Sequence, residues 1–254
     1  YCERLRFFDI VKGEFVAFSS SSTCSANCSK VMSNALAKKQ LQEGGVVVLQ
    51  DDAVRQRIFY FFAPAELITS ETICFMVNHG RGILFAPLSE ARIRELGLPM
   101  MTAGSPDLAP DFTVSVEARH GVSTGISAAD RALTLRTLSL TQSPRTDLVT
   151  PGHVFPLRAR QGGVLVRTGA AEAVVDLLTM SDLLPSGALC HILGSDGNFA
   201  DLDSVLALQK KYGLCLVKIS EIIQQRLLTE RIIERFAEAK LPTRDFGDFT
   251  AYGY

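Results

Sequence analysis

The chain has 254 residues, 47% of them hydrophobic and 21% charged, enough to bury the core of one large domain or of a domain with appendages. Its 26 Lys and Arg nearly cancel 27 Asp and Glu, which excludes the global charge excess that holds nucleic acid or an anionic membrane. No apolar run reaches the roughly 18 to 20 residues of a membrane span, and residues 1–16 lack the basic start and apolar block of a signal peptide.

The six cysteines are scattered, as expected in a reducing compartment. Cys24 and Cys28 have no nearby histidine pair and read as free thiols rather than a zinc site. A cytoplasmic protein is expected, and an organellar address removed ahead of residue 1 would leave no trace.

Residues 1–30 form an N-terminal extension whose Ser-rich end, 19–29, reads as a loop or linker, because small polar residues bury little apolar area. Lys30 to Glu43 has Val31, Ala35, Ala37 and Leu41 at helical spacing, and Gly44-Gly45 ends it before the strand-like run Val46 to Leu49. The run Phe59 to Phe62 reads as a strand buried on both faces, as the lining of an apolar pocket, or as the cover of an interface. A helix is predicted from Ser70 to about His79-Gly80, then a strand over Ile83 to Ala86 and an alternating strand over Phe112 to Val116. Helices are predicted over Ala128 to Leu138 and Ala170 to Leu178, and strands over Ala188 to Leu193 and Leu214 to Ile219. Ser220 to Lys240, with Ile222, Ile223, Leu227, Leu228, Ile232, Ile233 and Phe236 on one stripe, reads as a connecting helix that docks on the core or binds a partner. Helices alternate with apolar strands, so the fold class is α/β in the layered α+β sense, a mixed sheet flanked by helices.

Local sequences within this pattern carry a specific likeness. Gly121-Val-Ser-Thr-Gly-Ile-Ser-Ala-Ala-Asp-Arg131, Pro151-Gly-His-Val-Phe-Pro-Leu-Arg-Ala-Arg160, Gly162-Gly-Val-Leu165, Glu172-Ala and Val175-Asp-Leu177 follow in that order. Asn78-His-Gly-Arg-Gly-Ile83, Leu98-Pro-Met-Met101 and Ser195-Asp-Gly197 are spaced to match. Over about Val31 to Ile223 the chain resembles 3,4-dihydroxy-2-butanone 4-phosphate synthase of the riboflavin pathway. Leu241 to Tyr254 resembles the opening strand of GTP cyclohydrolase II, which many family members carry behind the synthase; residues 224–254 would then be a connecting helix and the start of that segment. No residue of the cyclohydrolase zinc site is present.

The resemblance implies a magnesium-dependent rearrangement of ribulose 5-phosphate that expels formate. That chemistry needs a divalent ion on the diol, carboxylates that move protons, and a cationic anchor for phosphate. The family loop reads approximately Asp-Asp-Glu-Asp-Arg-Glu-Asn-Glu-Gly-Asp-Leu, and here Asp51, Asp52 and Arg55 match it. Its magnesium-binding glutamate is Gln56, its next acidic positions are Ile58 and Tyr60, its glycine is Phe59, and Arg57 adds a positive charge. A neutral amide is a poor magnesium ligand, so the metal site is weakened. The family's Arg-Pro-Gly-His reads Thr150-Pro151-Gly152-His153, and threonine cannot supply a charged fork to phosphate. Phe85 stands for the usual cysteine, the threonine ahead of the Phe-Thr-Val strand is replaced near Pro110, and Ala170-Ala171 stand for a polar His-Thr pair.

By resemblance, His153 is the metal ligand and a catalytic residue, and Glu172 is the acid–base carboxylate. Arg55, Asp52, Ser123, Thr124, Thr150, Tyr60 and Phe85 are the candidate substrate contacts. Each has a plainer explanation. His153 can be a turn residue, Glu172 can complement a helix dipole, and Ser123-Thr124 with Asp130-Arg131 can cap and salt-bridge.

Three functions stay open on the sequence. The chain is an enzyme repurposed for a less polar small molecule, a catalytically silent paralogue or partner of riboflavin biosynthesis, or an active magnesium-dependent synthase. The family further implies a homodimer with sites near the subunit boundary; neither nucleic acid nor membrane is expected as a partner.

Overall fold

The computed structural model describes residues 35–54, 56–102, 111–230, 235–243 and 247–253. The Ser-rich segment, Cys24, Cys28, Arg55, Pro110, Ile232 and Ile233 lie outside the described residues. Helix α1 is described over residues 35–42. It is followed by β1 (Val47–Asp51), β2 (Ile58–Pro64), α2 (Ser70–Gly80), β3 (Arg81–Ser89), α3 (Glu90–Glu95), β4 (Val116–Ala118) and α4 (Ala128–Ser139). Then come β5 (Leu148–Ala159), α5 (Ala170–Thr179), β6 (Gly187–Ile192), α6 (Leu202–Tyr212), β7 (Leu216–Lys218), α7 (Ile219–Thr229) and the hairpin β8 (Ala237–Thr243) with β9 (Gly247–Gly253).

Seven strands make one mixed sheet in the order β4-β5-β3-β6-β2-β1-β7. β1 is parallel to β7 and β3 to β5, and the other pairings are antiparallel. Because side chains alternate across a strand, β2 divides its aromatic run between two cores. Phe59 and Phe61 enter the core that also holds Ile73 and Met76 of α2 and Leu135 and Leu138 of α4. Tyr60 and Phe62 enter the other, with Leu41 of α1, Leu177 and Leu178 of α5 and Ile222 of α7. The resemblance places a loop at Ile58 to Tyr60, whereas here these residues already belong to a strand buried on both faces. Aromatic side chains cross the sheet where acidic ones would stay in water.

Helix starts follow local chemistry. Thr69, Ser89, Ser127 and Asp201 each accept an N–H of the first turn of α2, α3, α4 and α6 with a side-chain oxygen, as N-caps do.

Three expectations need correction. The helix predicted over Ser220 to Lys240 ends as α7 at Thr229, and Ala237–Thr243 is a strand. The tail resembling one opening strand is a β-hairpin, with Ala237 paired to Gly253 and Leu241 to Phe249. Phe112 to Val116 is not a continuous strand: Phe112 and Thr113 make isolated bridges to Leu157 and Met100, and regular pairing begins at Val116.

The 12-residue β5, by contrast, has no counterpart among the expected elements, because Pro151 and Pro156 read as strand breakers. It tolerates Pro151 at a bulge, while Pro156 keeps its place in the ladder opposite Ala86 of β3. Val116 faces Val154 and Glu117 faces Val149, so residues 150–153 are extruded between two ladder positions.

Helix α7 docks on the core. Ile219 and Ile222 are fully buried, and Arg226 Nη1 reaches Asp176 of α5 at 2.7 Å and the Gly162 carbonyl at 2.8 Å. Leu227 and Leu228 face outward. No helix among the described residues is long and apolar enough to cross a membrane.

Candidate active site

A cavity of about 830 Å3 opens on the face of the sheet covered by α5. Tyr60 of β2, Phe85 of β3, Leu157 of β5 and Leu189 and His191 of β6 contribute its sheet wall. Asp51, Ile58 and Phe112 close one side, and Arg160, Arg167 and the α5 start, Ala170 to Glu172, close the other. The walls are largely apolar, with four aromatic rings clustered on the sheet side. Phe85 and Phe112 have ring centroids 5.3 Å apart, and His191 lies 4.6 Å from Tyr60 and 5.3 Å from Phe85.

Glu172 sits in the first turn of α5 and is fully buried. Its Oε1 accepts the Arg160 backbone N–H at 3.1 Å and Arg167 Nη1 at 3.3 Å, while Oε2 is buried with no hydrogen-bond partner. Burial pushes its carboxyl above the usual range, against the pull of the Arg160 N–H and the Arg167 charge.

Beside it, the buried Asp111 carboxylate accepts from Arg158 at 3.0 Å and Arg160 at 3.2 Å, with Arg167 at 3.9 Å. Burial opposes ionisation of Asp111, but the hydrogen bonds and charges of Arg158 and Arg160 outweigh it and hold the carboxyl below its usual range. Two carboxylates thus engage the guanidinium groups at the cavity's polar end. Asp51, also buried, is raised by burial and by neighbouring Asp52, although the Ala53 N–H bonds its Oδ1 at 3.1 Å.

Three candidate residues from the sequence therefore meet at one cavity: Glu172, Tyr60 and Phe85. The other described candidates do not line it. Asp52 accepts the Ser220 N–H at 3.1 Å and hydroxyl at 2.6 Å, tying β1 to α7. Thr150 and His153 lie in the β5 bulge, where His153 Nδ1 is 3.3 Å from Glu117 Oε1. A Cβ on Gly152 would come within 2.1 Å of the Val116 carbonyl carbon, so this glycine lets two backbones touch. Glu117 in turn occupies the space a Cβ on Gly125 would need, at 0.8 Å, and Gly125 has φ +78.

Ser123 donates to Asp130 Oδ2 at 2.8 Å, and Asp130 also accepts the N–H groups of Ser123 and Gly125, which closes the loop ahead of α4. No ion pair joins Asp130 to Arg131 among the described residues, and Arg131 Nε is buried without a partner. Thr124, the neighbour of Ser123, is exposed.

Magnesium does not fit this donor set. Asp52 and His153 are engaged elsewhere, Gln56 is an exposed amide, and no group of three His, Cys, Asp or Glu residues among the described ones could hold a metal ion. Sequence reasoning missed His191, Phe112, Asp111 and the arginines. Among them His191 left a legible trace, as the one imidazole in the otherwise apolar run Ala188 to Leu193.

The mixed sheet between two helical layers, with a cavity at the start of α5, defines a scaffold shared with solved lyase-type enzymes. A two-domain 3,4-dihydroxy-2-butanone 4-phosphate synthase from A. baumannii superposes with a TM-score of 0.79 at 33% identity, covering 86% of this chain and 65% of its own. A synthase solved in complex with two magnesium ions gives a TM-score of 0.73 at 33% identity, covering 78% of this chain and 98% of its own. The family model for 3,4-dihydroxy-2-butanone 4-phosphate synthase matches residues 35–225, and the chain belongs to that family.

Its relatives include the synthase of Neisseria meningitidis serogroup B, 39% identical over 215 residues, and the riboflavin biosynthesis protein RibBA of Salinispora arenicola, 42% identical over 219 residues. The match spans 84% and 86% of this chain but only 59% and 52% of those two relatives.

Proposed function

We propose that this chain is a diverged member of the synthase family, impaired in the ribulose 5-phosphate reaction and repurposed for a less polar small molecule, as in specialised metabolism. The carrying observation is the cavity: Tyr60, Phe85, Phe112, Leu157, Leu189 and the alanines of the α5 start line it, and no cluster of metal-ligating side chains occurs among the described residues. A site of this size with mostly apolar walls and a few polar groups is the common form of a small-molecule pocket. The engagement of Arg160 and Arg167 with Asp111 and Glu172 supports the same reading, since a sugar phosphate would have to compete with two carboxylates for them. Within this proposal Glu172 keeps the acid–base role, because its raised proton affinity places it nearer the range useful to a general acid.

Formate release decides the matter. Purified protein incubated with ribulose 5-phosphate and magnesium is expected to yield no formate above a protein-free control. Turnover at a rate typical of enzymes, about 1 s⁻¹ or more, overturns the proposal in favour of an active synthase. Co-purification with an active synthase, without any small-molecule ligand, favours the silent partner.

A further inference from the structure

Three polar groups on the cavity wall lack a protein partner among the described residues. They are Glu172 Oε2, which is buried, and two groups that make no side-chain hydrogen bond to a described residue, the Tyr60 hydroxyl and the imidazole of His191. Glu172 Oε2 lies close against Gly169, where a Cβ would come within 2.4 Å of it. The other two are different. Tyr60 and His191 are directly opposed across the β2–β6 ladder, both line the cavity, and their rings lie 4.6 Å apart. Phenylalanine at both positions would serve the packing equally well: His191 contacts the rings of Tyr60, Phe85 and Phe199, at 4.6, 5.3 and 5.6 Å. The phenol and the half-buried imidazole instead present their polar atoms to the cavity, where water or a ligand can bond them.

We propose that His191 and Tyr60 are the polar ligand contacts of this cavity, and that its ligand is a flat, uncharged aromatic or heteroaromatic molecule bearing one weakly acidic O–H or N–H that the imidazole accepts. The proposal rests on the reading of the cavity as a site for a less polar molecule, and it names the class. Flatness follows from the rings of Phe85, Phe112 and Tyr60, which offer faces and edges rather than hydrogen bonds. A single polar group on the ligand follows from the placement of the unpartnered pair on adjacent strands. Burial lowers the proton affinity of His191, which keeps the imidazole neutral and able to accept.

The test uses two probes that differ by one hydroxyl, 4-cyanophenol and benzonitrile, titrated calorimetrically into the purified full chain. The wild-type protein is expected to bind 4-cyanophenol about fivefold more tightly than benzonitrile, the ratio that one net hydrogen bond supports. His191→Phe and Tyr60→Phe should each bring the two probes to within about twofold of one another, the residual that one lost contact leaves. Equal binding of both probes to the wild type overturns the assignment of His191 and Tyr60 while leaving the apolar cavity intact. Binding of neither probe overturns both readings. Should His191→Phe fail to fold, the ¹⁵N resonances of the wild-type imidazole carry the same question. They should move on addition of 4-cyanophenol and stay with benzonitrile; resonances that move with neither sink the proposal.

Discussion

Glu172 and Asp111 lie side by side at the cavity's polar end, yet their environments displace their titrations in opposite directions. Glu172 has one oxygen bonded and one buried without a partner, so burial prevails and its carboxyl is raised. Asp111 gathers Arg158 and Arg160 on one oxygen, so charge and hydrogen bonding prevail over burial and its carboxyl is lowered. For an acid raised on folding, the stabilising contribution is fully present below its unfolded value and is lost as pH rises through the folded one. Glu172→Gln keeps the acceptor for the Arg160 N–H and removes the buried charge. The variant is therefore expected to melt about 2–4 °C above the wild type at pH 8, a gain of about 1 kcal/mol, and to match it near pH 4. A thermal scan at both values checks this, and a uniform loss at both would assign Glu172 a purely ion-pairing role. Asp111 has the opposite sign: its contribution is present above the unfolded value and fades as pH falls through the lowered folded one.

Strand β2 is the element that carries the aromatic run. Pairing with β1 and β6 places it in the sheet interior, and its alternating rings enter both cores. Phe61, fully buried and 5.5 Å from Phe75, is purely a packing residue. Phe61→Ala should cost about 3–5 kcal/mol, seen as a melting temperature lower by roughly 10 °C. Tyr60→Phe removes only a hydroxyl without a protein partner, and its melting temperature should stay within about 2 °C of the wild type. If the two variants lose comparable stability, Tyr60 is a structural residue and not a wall of a binding site.

The aromatic run itself was readable as a strand from its composition. Its division between a core and a cavity was not, because that depends on which neighbour covers each face. Strand β5 was illegible for a different reason: prolines argue against a strand, and Pro151 is accommodated only by a bulge that depends on the distant Val116 and Glu117.

At the scale of the molecule, the Thr150 to His153 bulge stands off the cavity and is partly exposed, although the family resemblance assigns both places to one site. A homodimer, also carried over from the family, would reconcile the two if a second copy brought its bulge to this cavity. The full chain, 27.7 kDa, is expected to elute in size-exclusion chromatography with light scattering at twice that mass. A monomer at micromolar concentration would instead leave His153 and Glu172 as parts of unrelated clusters. The β8–β9 hairpin forms its own two-stranded sheet, with Leu241, Phe249 and Tyr252 exposed.

The sequence by itself determined the family and the alternation of helices and strands. Those properties are local: they live in motif identity, spacing and period. Only the tertiary structure decided which candidates share a site. It brought Tyr60, Phe85 and Glu172 together from three elements, added His191 and Phe112, and set Asp52 on Ser220 and His153 on Glu117. Hydrogen-bond partners and cavity walls arise between residues far apart in the chain, and no local pattern encodes which of them will meet.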